Sequence, residues 1–570
     1  MTQHTQHHHI PHHRLPVWPS LALLVALVAT CLVLLALPVK MPVGAMYWDV
    51  FLYLDAAQRI SDGQIPGVDF FAPVGALGYY MAAAALKLFP DGQPLLAVSW
   101  SILALTVPLM AMVTYDSGKR APLTALAVTI PFVLFSFLPF NTTISNTFPG
   151  SDAFAIYNRQ TSQLLYIVVA AAVFVRSQWL MAITIGIAMT ALFFLKITGF
   201  LSAGLVCLLA LLAGRIRVRA TAAAIITFIV LVGAAEVLMR GLVTTYIGDI
   251  ATLVSMNQDG LLRRMVQSAS KTAGTTLSAV VLGLVVFAAT WPMTRAALTK
   301  HDWRNVLDHP SVWLATVLLA GLFFESQNTG GQELVYLWPV IIMLVAAIQI
   351  PGPRPVVTGT TLMLAACVAL PPTVATVQAA LRSTLGSLIQ QPVVHTHLRQ
   401  LGNITTREYF AKRADEVRQI YIDYPDVQQA YVEAGELPAF HLYADFDFQL
   451  LLHLNADELV GTLKRLEADG LRYESVLNMD FSNPFGWLLN KDAPKHVAIG
   501  ASVGRTVPPL DDLTAKAVSD VDLALIPLCP FGYQVAVLLQ HYEIPLASHK
   551  RVSLTPCFDA LVHPRIDFEF

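Results

Sequence analysis

The stretch Tyr47-Trp-Asp-Val-Phe-Leu-Tyr-Leu-Asp-Ala-Ala-Gln-Arg-Ile-Ser-Asp-Gly-Gln-Ile-Pro-Gly-Val-Asp-Phe-Phe-Ala-Pro-Val-Gly75 decides how the chain is read. It sets four acids, Asp49, Asp55, Asp62 and Asp69, among aromatic and aliphatic residues, between long apolar segments. Val50, Phe51, Leu54, Ala57 and Ile60 recur at helical spacing and form an apolar stripe of about three turns. Outside a bilayer, such a helix is expected to lie along the membrane. Asp62-Gly63 ends it, Pro66-Gly67 turns the chain, and Asp69-Phe-Phe-Ala-Pro73 runs extended into the next apolar segment.

Composition supplies the setting. The 570 residues are 55% hydrophobic and 13% charged, against roughly 45–50% and about 25% in soluble domains, and the mean hydropathy is +0.59. The formal net charge of -2 gives no global field, so no nucleic-acid partner is implied. Apolar segments centre on residues 18 to 39, 93 to 114, 121 to 139, 161 to 175, 179 to 195, 198 to 213, 220 to 239, 275 to 294, 311 to 325, 333 to 350 and 356 to 378. A twelfth, Val74 to Phe89, is short and carries Gly75, Gly78 and Lys87. It reads as a re-entrant or membrane-lying helix, with a very short span as the alternative.

Lys and Arg near helix ends mark the cytoplasmic side. Gly118-Lys-Arg120, Arg176, Arg215 to Arg219, Arg295 to Arg304 and Arg354 all fall on one side if Val74 to Phe89 does not cross. Residues 40 to 92, 140 to 160, about 240 to 274, 326 to 332 and everything after 378 are then external, which gathers the unusual polar residues on one face. The expected fold is a polytopic α-helical membrane protein of about 11–12 transmembrane segments, with amphipathic external-loop helices and a carboxyl-terminal soluble α/β domain. The division is a His-rich cytoplasmic tail over 1–17, a transmembrane domain over 18–378 with its first external loop at 40–92, and an external, periplasmic domain over 379–570. The apolar run after the tail has no small-residue cleavage site and reads as a retained anchor. The expected location is the inner membrane.

In the carboxyl-terminal domain, Arg407 to Tyr421 reads as a helix, and Asn455-Ala-Asp-Glu458 as a capping box opening another that Gly470 stops. Residues 474 to 480, 496 to 500 and 521 to 528 read as buried strands. Cys529 and Cys557 have no metal spacing and are candidates for a disulfide, although nothing in the sequence brings them together. Cys31, Cys207 and Cys367 lie in apolar runs, where a thiol behaves as a small hydrophobe. In the loop near 261 to 271, Arg263, Arg264 and Lys271 among apolar pairs suggest an interfacial helix.

Asp49 stands immediately before the first-loop helix, where it suits an N-cap, a functional acid, or both. Asp55 and Arg59, four apart, suit an exposed pair worth a few tenths of a kcal/mol. Asp69 has no capping role, so its carboxylate wants a partner: Arg159, Lys196 or a divalent cation. In Glu325-Ser-Gln-Asn-Thr-Gly-Gly-Gln-Glu333, Gln327, Asn328, Gln332 and Glu333 offer the donors and acceptors that suit sugar hydroxyls, with a solvated turn as the plain alternative. There is no Gly-rich phosphate loop, GxSxG or HExxH.

Tyr47-Trp-Asp49, the helix Val50 to Ile60, the turn Ser61 to Asp69, Phe70-Phe-Ala-Pro73 and the apolar helix that follows resemble the first external loop of the GT-C superfamily, integral membrane glycosyltransferases that use polyprenyl-phosphate sugars. The resemblance covers roughly residues 15 to 350 in architecture and about 45 to 90 in motif. It implies a catalytic aspartate in the first loop, carried to Asp49, and an assisting acid in the second, carried to Asp152. This chain has one acid at Asp49 where the family often has two adjacent ones, so Asp49 is either a base acting alone or, with Asp152, a ligand to a divalent cation such as Mg or Mn. Asp69 is a supporting acid in this scheme.

A departing lipid phosphate needs positive charge at its oxygens. Arg159 and Lys196, at helix ends on the external side, are the candidates, with snorkelling to the headgroups as the bland alternative. Tyr157 and Asn158 beside Arg159 join the sugar- and acceptor-binding candidates. The implied partners are a polyprenyl-phosphate-linked sugar donor, a glycan, lipid or protein acceptor, and membrane lipids. Two other classes compete: a lipid-linked sugar transporter or flippase, and a membrane-anchored glycan-assembly protein whose tail does the work.

Overall fold

The computed structural model describes residues 17–140, 150–256, 260–327, 334–348, 355–437 and 446–568. Each of the eleven apolar segments becomes a helix. They are Trp18–Leu35, Pro94–Trp100 continued by Leu103–Gly118, Pro122–Phe137, Ile156–Phe174, Gln178–Leu195, Ile197–Leu212, Val218–Leu238, Ala273–Thr299, Pro310–Ser326, Trp338–Ile348 and Pro355–Ser387. Among the described residues six helices are long and apolar enough to cross a membrane, and several shorter apolar ones stand beside them. This is an integral membrane protein. Pro94, Pro122 and Pro310 open their helices, where a missing N–H costs nothing and φ is already helical.

Helix Ile156–Phe174 is the axis of the bundle. Every residue but Tyr157 and Phe174 is buried, and the small run Ala170-Ala-Ala172 lets neighbouring helices approach. Its two ends differ. At the carboxyl end, Arg120 and Arg215 donate to the carbonyls of Phe174 and Val173 at 2.8 and 2.7 Å, which places cations against the negative end of the helix dipole. The amino end, ~28 Å away at 1.5 Å per residue, carries Asn158, Arg159, Gln160, Thr161, Ser162 and Gln163, all buried. Buried polar residues at bundle depth are costly and point to function.

The Val74 to Phe89 segment forms the helix Ala76–Leu88. Its 13 residues span ~20 Å, short of a hydrocarbon core of ~30 Å. Gly75 lets the chain enter it: a Cβ there would fall 2.1 Å from the Phe194 carbonyl oxygen, and the Gly75 amide donates to Leu195 at 3.2 Å. The stretch near 261 forms the helix Leu261–Lys271.

The first-loop helix Val50–Ser61 packs on both faces, where its single apolar stripe predicts one. All residues from Val50 to Arg59 are buried, because it is sandwiched between helix 76–88 and the short helix Phe485–Leu489 of the carboxyl-terminal region. Val50, Phe51, Tyr53 and Leu54 put apolar surface all round, and the far side is covered by chain more than 400 residues away in sequence. Tyr47, Trp48, Phe51 and Leu54 share one core with Leu401, Ile404, Leu459, Leu463 and Leu488. The joint is also hydrogen-bonded. Met41–Pro42 adds a parallel strand to Ile404–Thr406, which pairs antiparallel with Gln391–Pro392, and the Trp48 amide donates to Gln449 at 2.9 Å.

The Asp55–Arg59 pair is likewise buried, not exposed: the ions meet at 2.8 Å with side chains 4% and 1% accessible. Arg59 also donates to the Pro494 carbonyl at 2.7 Å and lies over the Phe70 ring. A desolvated pair that also donates to a tail carbonyl is a specific joint between loop and tail.

The carboxyl-terminal region holds helices Glu408–Asp423, Pro425–Ala434 and Phe446–Ala468 beside a four-stranded sheet. Strand Val476–Asn478 pairs parallel with Leu523–Pro527, which pairs antiparallel with Phe558–Val562, itself paired with Lys550–Thr555. Cys529 and Cys557 form a disulfide with Cα atoms 5.0 Å apart. Three local readings change. Asn455 caps nothing: it lies inside helix 446–468 and ties Arg418 to the Cys529 carbonyl. Residues 496 to 500 are not a strand, because the amides of His496 and Ile499 donate to Asp69 and Phe71 of the first loop. The last apolar helix runs on to Ser387, past the expected boundary at 378.

Candidate functional site

The site forms where the first loop, the second loop and the tail domain meet at the amino end of helix 156–174. Loops one and two are laced together by a bridge between Val43 and Ser151 and by the Ser151 amide donating to Pro42 at 2.7 Å. The approach demands glycine, since a Cβ on Gly150 would sit 2.2 Å from the Val43 carbonyl oxygen and one on Gly44 2.5 Å from that of Ser151. This lacing brings the Ala155 amide to Asp49. The Asp49 side chain makes no cap to its own helix; its Oδ2 accepts from the Ala155 N–H at 2.7 Å. Asp49 is 6% exposed. Burial pushes its carboxyl up to about 7, against the opposing pull of the Ala155 amide and the Arg505 charge.

Tyrosines surround it. Tyr53 and Tyr79 lie with ring centroids 5.6 Å apart, and burial, with the Asp49 charge adding to it, holds their hydroxyls above the ordinary range. Lys196, at the break between helices 178–195 and 197–212, donates to Asn158 Oδ1 at 2.6 Å and stands over the Tyr157 ring at 4.8 Å. Burial lowers its ammonium to about 7; Glu325 counters this and Arg505 adds to it. Glu325 is fully buried and accepts from the Tyr336 hydroxyl at 3.0 Å. Arg505, exposed on a tail-domain loop, therefore acts electrostatically on Asp49, Tyr157 and Lys196 alike.

Not every candidate joins this centre. Asn158 and Arg159 are ~100° apart around their helix, so when Asn158 meets Lys196, Arg159 faces elsewhere. Its guanidinium lies 4.5 Å from the Phe135 ring centroid, donates to the Phe135 carbonyl at 3.1 Å and lines a small cavity with Asp152 and Gln163. Arg159 and Lys196 thus do not form one phosphate clamp. Asp152 Oδ1 accepts from the Phe154 amide at 2.6 Å, shaping the turn that presents Ala155.

Asp69 finds a different partner from the three expected. Its Oδ2 accepts from the Ile65 amide at 2.8 Å and pairs with Arg240, while Lys495 stands 3.8 Å from Oδ1. It clasps the Pro66-Gly67 turn to the helix junction at Arg240, a structural role. Gln327 ends helix 310–326 and donates to Ser326 at 3.0 Å. Asn328, Gln332 and Glu333 lie outside the described residues.

The residues present do not fit a divalent cation at Asp49. One oxygen of the carboxylate accepts a backbone amide, cationic Arg505 acts on it, and no group of three or more His, Cys, Asp or Glu among the described residues could hold a metal. Sequence reading missed Tyr53, Tyr79, Glu325 and Arg505 as site residues. Glu325 had a signal, an acid at the end of an apolar helix. Arg505 had none, because its place is set by the tail docking on the loop.

No family model matches the sequence, and no curated protein matches it. Among solved structures there are similarities at low identity. The chain is similar to ArnT from Cupriavidus metallidurans in the apo state, at 13% identity and a TM-score of 0.39, over 95% of this chain and 98% of that one. It is also similar to the same protein bound to undecaprenyl phosphate, at 13% identity and a TM-score of 0.43 over the same shares. A third similarity is to the archaeal oligosaccharyltransferase AglB from Archaeoglobus fulgidus, in complex with an inhibitory peptide and a dolichol-phosphate, at 12% identity, a TM-score of 0.34, and 96% and 74% coverage.

Proposed function

We propose that the chain is a membrane glycosyltransferase that moves a sugar from a polyprenyl-phosphate donor to a glycan, lipid or protein acceptor at the external face of the inner membrane. The observation that carries this reading is Asp49, a buried carboxylate raised to about 7, in a pocket of tyrosines to which Arg505 brings positive charge. A base is most effective when its pKa lies near the working pH. In the proposed step the acceptor hydroxyl oxygen bonds to the anomeric carbon as the bond from that carbon to the phosphate oxygen breaks. The hydroxyl proton goes to Asp49 and the electron pair leaves with the lipid phosphate. Lys196 and Arg505 are the cations that compensate the departing charge, and Asn158 holds Lys196 in place. A single displacement of this kind inverts the anomeric centre.

A transporter is expected to carry ionisable groups within its apolar segments, and Glu236 is the main acid of this chain set apart from the external cluster in that way. That carboxylate instead accepts from the amides of Val243 and Thr244 at 2.7 and 3.1 Å, capping the next helix. The test is reconstitution with a labelled polyprenyl-phosphate sugar and comparison of the parent with Asp49→Asn. We expect loss of about 10²–10⁴ in transfer rate by a folded variant. Undiminished transfer by that variant would sink the assignment, and movement of lipid without transfer would favour a transporter.

A further inference from the structure

A second cavity, of about 270 Å³, lies where the first loop meets the helix Leu242–Met256 and the tail domain. Its lining shares no residue with the Asp49 centre. At ~30 Å³ per water it has room for about nine, or for one sugar ring. Three of its lining residues, from two separate segments, carry buried polar atoms with no hydrogen-bond partner among the described residues: Asp249 Oδ2, His541 Nε2 and the Tyr542 hydroxyl. Tyr542 is 2% exposed. Leaving such an atom unsatisfied costs ~1–3 kcal/mol, and residues of this one wall carry three of them beside a mostly polar lining.

The chemistry of the wall narrows the class. Asp249, whose carboxyl burial pushes up to about 7, and Asp511 supply acid oxygens, and no Lys or Arg is among the residues lining the cavity, which disfavours a phosphate or an acidic sugar. Burial holds the His541 imidazole below its ordinary range, so at neutral pH it both donates and accepts. Phe71 and Pro508 add apolar faces, matching a pyranose, which has a hydroxyl rim and an apolar face. We propose that this cavity binds one neutral monosaccharide unit, at a subsite separate from Asp49 that stands whether or not Asp49 is a base.

The test is saturation-transfer NMR on the full chain in detergent, with the methyl glycosides of glucose, galactose and mannose and with glucose 6-phosphate as the anionic control. We expect saturation of at least one neutral glycoside and none of the phosphate. That signal falls about tenfold or more in Asp249→Leu and in Tyr542→Phe, with thermal melting confirming that each is folded, and persists in Asp49→Asn. Absence of transfer to every neutral glycoside overturns the proposal. So does a signal unchanged in both cavity variants, or one lost in Asp49→Asn and retained in the other two.

Discussion

A carboxylate held near neutrality is a liability to the fold. In the unfolded chain Asp49 titrates at ~3.9, and in the folded protein at about 7. Below pH 4 both states are protonated and nothing is lost; from pH 4 to 7 the folded state is progressively destabilised, reaching ~4 kcal/mol above pH 7. Asp49→Asn keeps an acceptor for the Ala155 amide and removes that penalty. It should therefore melt higher than the parent at pH 8, with the difference vanishing near pH 4, in the same variant that loses transfer. The activity profile follows from the same groups. Asp49 must be ionised and Lys196 protonated, so the rate rises with pH through about 7 on the acid side and falls through about 7 on the alkaline side. Lys196→Arg, which stays charged, should extend the alkaline limb, as a pH–rate series on the two proteins would record. Asp49 was legible in the sequence as a helix cap, a functional acid or both. Asp69 was legible as a carboxylate wanting a partner, and that partner, Arg240, is set by the fold.

Between elements, the decisive contact is the crossing of loops one and two. Gly150→Ala puts a Cβ against the Val43 carbonyl oxygen, and the strands must part to admit it. We expect a loss of ~1–3 kcal/mol and, as the Ala155 amide moves off Asp49, a fall in transfer larger than the stability loss explains. Thermal melts and single-turnover rates on the same preparation separate the two effects. The first-loop helix illustrates how periodicity misleads. Its stripe at Val50, Leu54 and Ala57 was read correctly, but a stripe says where one face packs and is silent about the other. Here the other face meets helix 485–489, and Asp55–Arg59 is sealed beneath it.

The whole molecule is less divisible than a membrane domain with an appended tail. The loop contributes Tyr47, Trp48 and Phe51 to the core that also holds Leu459 and Leu488, so neither part buries its apolar surface alone. A chain ending at Ser387 should expose that surface and leave Arg59 without the Pro494 carbonyl it donates to. We expect it to aggregate, running in the void volume on size exclusion where the full chain is monodisperse.

By itself the sequence determined the eleven apolar segments, the uneven spread of Lys and Arg among their ends, the change of character after the last span and Asp49 as a candidate. Each of these depends on local composition or on spacing along a single element, and hydrophobic length and charge bias act on a segment wherever its neighbours lie. Tertiary structure alone decided that Arg505 shares a centre with Asp49, that Arg159 turns away from Lys196, and that Asp69 is a clasp. These outcomes depend on which side of a helix faces which distant chain, and on desolvation, which a carboxylate acquires only when residues hundreds of positions away close over it.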